Sequence, residues 1–286
     1  MDDFAAFILT HGRPKRVYTY KTLRRAGYTG RIVILIDDED KTADEYRRVF
    51  GTQVAVFSKS EIAKTFDEGD NFQDRRAIIY ARNATFDVAE RLGIRHFIQL
   101  DDDYTQFVYR FADTGRYEYK RIGKLDHVIE MMLRYYRMTP FSSITMAQGG
   151  DFFGGEKGTM AKAIGTKRKA MNTFICSTDR RFEFVGRINE DVNTYTGSQR
   201  RGVLFLTISG VSIQQIQTQS NAGGMTDLYL DSGTYIKTFY SIMYAPSCVK
   251  IHVMGSSYKR IHHRIDWKST VPHILHERHR LAHGRP

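Results

Sequence analysis

The stretch His96-Phe97-Ile98-Gln99-Leu100-Asp101-Asp102-Asp103 runs a mostly apolar segment straight into three carboxylates. So short an apolar run reads as a buried strand, and the abrupt change of polarity puts its carboxyl end at a surface. The pattern occurs twice upstream. Phe4 to Thr10 is followed by His11-Gly12-Arg13, and Arg31 to Asp37 by Asp38-Glu39-Asp40. Helical patterns separate these runs: one from the His11 turn to about Ala26, one over Thr42 to Phe50, and one from about Asp74 to Leu92 with Ile78, Ala81, Thr85, Val88, Ala89 and Leu92 on a single face. Gln53 to Phe57 adds a further strand. Strands alternating with helices imply βαβ units and a parallel sheet, whose ligands gather beyond the carboxyl ends of the strands. All three polar clusters fall on that edge.

The second half is less regular. Phe107 to Phe111 and Tyr117 to Lys120 flank Asp113-Thr114-Gly115 as a hairpin, and Leu125 to Met138 has helical spacing that ends before Pro140. Ser143 to Ala147 reads as a strand entering Gln148-Gly149-Gly150-Asp151, and 154–169, rich in Gly, Lys and Thr, as a basic surface loop. Met171 to Cys176, Val203 to Gln217 and Val249 to Met254 are further strand candidates, and Tyr235 to Met243 a helix.

With 286 residues, 41% of them hydrophobic and 26% charged, the chain has material for a sizeable core, which excludes disordered and fibrous classes. No apolar run approaches the ~18 residues needed to cross a bilayer. The start, Met1-Asp2-Asp3, is acidic where an export signal is basic, so a cytoplasmic protein is expected. Cys176 and Cys248 are too few for a disulfide framework and read as buried small hydrophobes. Lys and Arg, 43 against 32 Asp and Glu, leave +11, which points either to polyanionic partners such as nucleic acid, nucleotides or anionic lipid or to a merely soluble basic surface.

Hard divalent cations prefer oxygen ligands, and Mg2+ is commonly held by one or two carboxylates plus substrate phosphates. Asp101 and Asp103, spaced i and i+2 on extended chain, point the same way and are the candidate ligands; an acidic turn is the alternative. Asn189-Glu190-Asp191 supplies a second acidic pair, with Asp191 either an N-cap or a general base and Glu190 second choice for the base. His262-His263 could complete the coordination of a Mn2+-like ion. His273, His276 and His279 have helical spacing but lack the partners of a zinc site. P-loop, dinucleotide and nucleophile-elbow motifs are all missing from the sequence.

The ordered set Thr10-His11-Gly12-Arg13, Asp37-Asp38, Ala81-Arg82-Asn83, Leu100-Asp101-Asp102-Asp103-Tyr104 and Asn189-Glu190-Asp191 resembles the GT-A fold glycosyltransferases. With Gln148-Gly149-Gly150-Asp151-Phe152 and His262-His263-Arg264-Ile265-Asp266-Trp267, it is similar to the TET/JBP-associated glycosyltransferases of phages. The resemblance implies an α/β, Rossmann-like GT-A domain with a mixed, mainly parallel sheet over 1–255. Its halves would be 1–105 for nucleotide and 106–255 for sugar and acceptor, with a basic extension, 256–286, completing the site. It also implies transfer from a nucleotide-diphosphate sugar, a UDP-sugar, to a hydroxyl on DNA such as that of 5-hydroxymethylcytosine, with Mn2+ or Mg2+, in a phage host's cytoplasm.

By that resemblance Thr10, His11, Arg13, Asp37, Arg82, Asn83 and Asp102 would hold the nucleotide. Asp101 and Asp103, with His262 or His263, would hold the metal, and Gly149, Gly150 and Asp151 would flank the donor sugar. Asp191 would be the base of an inverting transfer. Lys167, Arg168 and Lys169 with Arg200 and Arg201 offer a track for DNA phosphates, and Phe152, Phe153 and Tyr195 are candidates for stacking on a base. The rival readings are a glycan or protein acceptor and an inactive nucleic-acid-binding module.

Overall fold

Strands that are apolar at every position can be buried on both faces only at the centre of a layered sheet. β1 (Phe4–Leu9) is buried throughout. Phe4, Ala6 and Ile8 face one core while Ala5, Phe7 and Leu9 face another. The computed structural model describes residues 3–70, 75–152, 155–158, 166–216, 233, 235–255 and 259–272. Within them β2 (Arg31–Asp37), β3 (Val54–Phe57), β4 (His96–Asp101), β5 (Tyr104–Phe111), β6 (Tyr117–Arg121), β7 (Ser143–Gln148), β8 (Phe174–Ser177) and β9 (Phe205–Gln215) join β1 in one sheet. Its order is β3-β2-β1-β4-β8-β7-β9-β5-β6. The mixed sheet expected from sequence is present: β3, β2, β1 and β4 are mutually parallel, β8 runs antiparallel between β4 and β7, and β7 is parallel to β9.

The helices cover both faces. α1 (Tyr18–Arg25), α2 (Ala43–Phe50), α3 (Lys59–Ile62), α4 (Ile79–Arg91), α5 (Leu125–Met138), α6 (Glu190–Gln199), α7 (Ile236–Tyr244) and α8 (Trp267–Thr270) follow in chain order. α5 buries Leu125, Val128, Ile129, Met132, Leu133 and Tyr136 in the first core, the spacing of one helical face. α4 gives Tyr80, Phe86, Val88 and Ala89 to the second, where Phe86 meets Phe97 and Phe182 edge to face. Both cysteines are buried and free.

Four differences from the sequence reading have local causes. α1 starts at Tyr18 rather than directly after the expected His11–Pro14 turn, because Pro14–Arg16 form a separate 3-10 turn behind Gly12, whose φ is 67°. β8 starts at Phe174 because Asn172, at a φ of 60°, breaks the run from Met171. β9 starts at Phe205 because a turn precedes it at Gly202, φ 87°. An unforeseen strand, β11 (Arg260–Ile265), pairs antiparallel with β10 (Val249–Met254) as a separate ribbon across the expected 255/256 boundary.

Candidate active site

Register decides which side chains share the sheet edge. Leu9 pairs with Leu35 on one side and Asp101 on the other, so the segments after β1, β2 and β4 leave the sheet together. The aspartate turn is then clamped from α1. Thr19 donates through its hydroxyl to the Asp101 carbonyl (2.6 Å), and its backbone N–H donates to that of Asp102 (3.1 Å). Its hydroxyl also accepts from the Tyr104 N–H (2.9 Å).

Most carboxylates on this edge are already satisfied. Asp37 takes His11 Nδ1 at 2.7 Å and Lys59 Nζ at 3.2 Å. Burial would raise the Asp37 carboxyl, but the His11 hydrogen bond and the Lys59 charge outweigh it and hold the group below the usual range. Asp40 accepts from the Gly12 N–H (2.7 Å) and from Thr42. Asp102 accepts from the Thr10 hydroxyl (2.7 Å), which also meets the Tyr46 hydroxyl (2.8 Å), and Arg13 Nη1 lies 3.5 Å from its other oxygen.

Asp101 and Asp103 differ. Burial, with repulsion from Glu190 and Asp102 opposing the pull of Arg82, pushes Asp101 up to about 6. Burial and repulsion from Asp101 and Asp102 push Asp103 up to about 7. Asp103 Oδ1 is buried with no hydrogen-bond partner. Asp101 is paired with the Arg82 guanidinium, while Asp103 has no ion pair among the described residues; hard oxygen donors of this kind are what a Mg2+ or Mn2+ ion takes, so the residues fit a cation. The expected histidine ligand is not brought to them: among the described residues no three of His, Cys, Asp and Glu converge as a metal cage.

Arg82 and Asn83 face inward. Arg82, 1% exposed, donates through Nη2 to Asp101 Oδ1 (2.9 Å) and through Nε to Glu190 Oε1 (3.1 Å), with its guanidinium over the Phe174 and Phe184 rings. Asn83 exchanges two hydrogen bonds with the backbone of Phe184. Arg82 thus ties the aspartate turn to α6, and Asn83 pins the Phe184 backbone, both from buried positions.

Asp191 lies in the first turn of α6, not at its N-cap. The flanking residue is Asn189, with a φ of 61° and its amide donating to Ser241 Oγ (2.6 Å) on α7. Asp191 is buried; burial first, then Glu190, raises its carboxyl, opposed by Arg82 and by Lys237 of α7. Tyr195, one turn on, is fully buried and stacked on Trp267 with rings 5.9 Å apart and 10° between planes, and its hydroxyl has no partner. It therefore offers no face to a base. Phe152 is likewise covered, by Tyr117 and by the Arg110 guanidinium 4.2 Å from its ring, while Phe153 and the histidines from His273 onward lie outside the described residues.

Gly149–Phe152 form a 3-10 turn at the end of β7, with Gly150 exposed. A side chain at Gly149 would meet the Gln214 amide at 2.6 Å. Asp151 accepts from the Gln148 N–H (3.0 Å) and lies 3.6 Å from Lys169 Nζ. His262 and His263 sit on β11; burial first lowers both, followed by Lys169 for His262 and by His262 and then Lys169 for His263, which falls to about 4. Lys167, Lys169, Arg200 and Arg201 are exposed and Arg168 half-buried; Arg200 donates to the Tyr244 carbonyl at 3.4 Å.

Sequence reading passed over Lys59, Tyr46 and Lys237. Lys59 had a signal, since it follows β3 on the same edge; nothing local marked the other two.

A sequence model described as TET-Associated Glycosyltransferase matches residues 4–224. With the sheet order above, this defines the molecule as a glycosyltransferase built on a mixed α/β sheet. The chain belongs to the TET-associated glycosyltransferase family. Among solved structures it is similar to glucosyl-3-phosphoglycerate synthase from Mycobacterium tuberculosis, in complex with Mn2+, uridine diphosphate and phosphoglyceric acid. That likeness has 7% identity and a TM-score of 0.48 over 92% of this chain and 86% of the other. It is also similar to S. aureus TarS in complex with UDP-GlcNAc, with 11% identity and a TM-score of 0.42 over 84% of this chain and 66% of the other. No curated protein matches it. No helix among the described residues is long and apolar enough to cross a membrane.

Proposed function

We propose that this glycosyltransferase moves a sugar from a nucleotide-diphosphate sugar, a UDP-sugar, to the hydroxyl of a hydroxymethylated pyrimidine in DNA, with Asp101 and Asp103 holding a Mn2+ or Mg2+ ion. The observation that carries the reading is the unsatisfied acidic turn: Asp103 Oδ1 is buried without a partner while its neighbours Asp37, Asp40 and Asp102 are compensated. When bound, the ion would supply positive charge where the diphosphate leaves.

The chain's own groups do the rest. His11 and Arg13, at the end of β1, offer donors to the nucleotide, with Thr10, Asp37 and Asp102 fixing them in place. The exposed Gly150 lets the donor sugar approach the backbone beside Asp151, and Gly149 makes room for the Gln214 amide behind that turn. Arg82 ties Asp101 to Glu190, so the leaving-group side and the α6 side keep one spacing. Asp191 accepts the proton of the incoming hydroxyl in an inverting transfer; its raised carboxyl is the stronger base for that step. Lys167, Arg168, Lys169, Arg200 and Arg201 offer cations to the acceptor's phosphates.

The test is chemical. DNA containing 5-hydroxymethylcytosine is incubated with UDP-sugars and Mn2+, then digested to nucleosides for mass spectrometry. A hydroxymethylated nucleoside heavier by one sugar, absent with unmodified DNA, is expected. If no UDP-sugar yields it while a glycan or protein acceptor is glycosylated, the DNA assignment is wrong.

A further inference from the structure

The β10–β11 ribbon stands apart from the main sheet, and its pairing sorts its side chains by chemistry. Partners across an antiparallel pair point to the same side. Lys250 opposes Arg264, His252 opposes His262 and Met254 opposes Arg260, which makes one face basic; Val249, Ile251, Val253, Ile261 and Ile265 with His263 make the other. Neither strand contains an acidic residue. Asp266, the residue that follows β11, is engaged by Lys268 N–H (3.1 Å) and Ser269 Oγ (2.9 Å) and also feels Lys250. Lys250, His252, Arg260 and Arg264 are exposed. Like charges placed directly opposite one another, as Lys250 and Arg264 are, destabilise a strand pair, and a polyanion lying across them relieves that repulsion.

We infer that this basic face is a duplex-docking element that enters the major groove of DNA. A two-stranded ribbon has the width that the major groove of B-form DNA admits, whereas the major groove of A-form RNA is too narrow and deep for side chains to read. The 5-position of a pyrimidine opens into that same groove, so the ribbon would bring the enzyme to the side on which a 5-hydroxymethyl group projects. Its root is tied to the candidate base. α7 lies against both strands, Lys237 of α7 acts on Asp191, and the Asp266 N–H closes the ribbon on the Cys248 carbonyl at 2.7 Å. The inference rests on a DNA acceptor and adds the element that grips the duplex.

The test compares wild type with Lys250→Ala/Arg260→Ala/Arg264→Ala, and with the charge-preserving Lys250→Arg/Arg260→Lys/Arg264→Lys. Each binds a duplex DNA, a duplex RNA and a single-stranded DNA of one length across a salt series. Each lost phosphate contact lowers the salt slope by about 0.9, so the alanine variant should lose roughly 2 to 3 from its duplex-DNA slope. The charge-preserving variant should keep the slope, and unchanged thermal unfolding of both should show an intact fold. An alanine variant that keeps the wild-type slope, or loses equally on duplex RNA, overturns the ribbon assignment. Wild type that binds no DNA overturns the acceptor reading as well, so the two failures are distinguishable.

Discussion

Replacing Arg82 with Met tests whether the acidic turn is held by charge. Arg82→Met keeps an apolar stem over Phe174 and Phe184 but removes the bonds of 2.9 Å to Asp101 and 3.1 Å to Glu190. Breaking a buried pair by deleting one partner costs about 3 to 5 kcal/mol, because the remaining charge is stranded. At roughly 2 °C per kcal/mol for a chain of this size, thermal unfolding should fall by roughly 6 to 10 °C. The same substitution made in an Asp101→Asn/Glu190→Gln background strands neither hydrogen-bonded carboxylate, leaving only Asp191 in the field of Arg82, and should cost less than half as much. The pH dependence has a definite sign. Asp101 is pushed up to about 6 by burial, so the folded form holds its proton more tightly than the unfolded chain near 3.8. Stability contributed by that proton is present at low pH and lost as pH rises through about 6; without Arg82 the loss is steeper. Equal costs in both backgrounds would show that Arg82 acts by packing, and the reasoning about the turn would be refuted.

Asp191→Asn should reduce transfer by about 10²-fold or more while donor affinity stays within a few-fold, measured by steady-state kinetics; parallel loss of both makes Asp191 structural. Asn189→Ala should cost about 1 to 2 kcal/mol by urea unfolding, since a Cβ-bearing non-Asn residue is strained at a φ of 61° and the bond to Ser241 is lost, with Asn189→Gly recovering the backbone part; identical costs contradict this. The His11 imidazole is raised by its hydrogen bond with Asp37 against the opposing effect of burial. Its charge therefore stabilises the fold fully below about 6.5, and that contribution fades as pH rises through the folded value. Melting curves of wild type and His11→Ala should draw together at alkaline pH; a constant gap excludes a charge effect. Lys167→Ala/Arg168→Ala/Lys169→Ala should flatten the salt dependence of DNA binding, and an unchanged slope would place the phosphates elsewhere.

The parallel half of the sheet was legible because burial on both faces leaves unbroken apolar runs: Phe4–Leu9 and Arg31–Asp37 are strands where the reading placed them. α5 was legible to its ends because one face is core and Pro140 follows. The ribbon strand β11 was not, since Arg260-Ile261-His262-His263-Arg264-Ile265 has too little apolar content to signal a strand, and its partner is fixed only by pairing in space. In the site, the acidic turn and its edge were visible as polarity changes at strand ends. The inward turn of Arg82 was not, because an arginine on a helix carries no mark in sequence of its buried partners, here Asp101 and Glu190. Tyr195 and Phe152 failed as stacking candidates for a related reason: an aromatic residue carries no mark in sequence of whether Trp267 or Arg110 already covers it.

The most direct measurement is the thermal shift produced by a UDP-sugar, with and without Mn2+, on wild type and Asp103→Ala. At a donor concentration about 100 times its Kd, binding stabilises the native state by about 2.7 kcal/mol, roughly 5 °C here. The account predicts that shift for wild type only when Mn2+ and donor are present together, and its loss in Asp103→Ala. An equal shift without the ion, retained in Asp103→Ala, would contradict it.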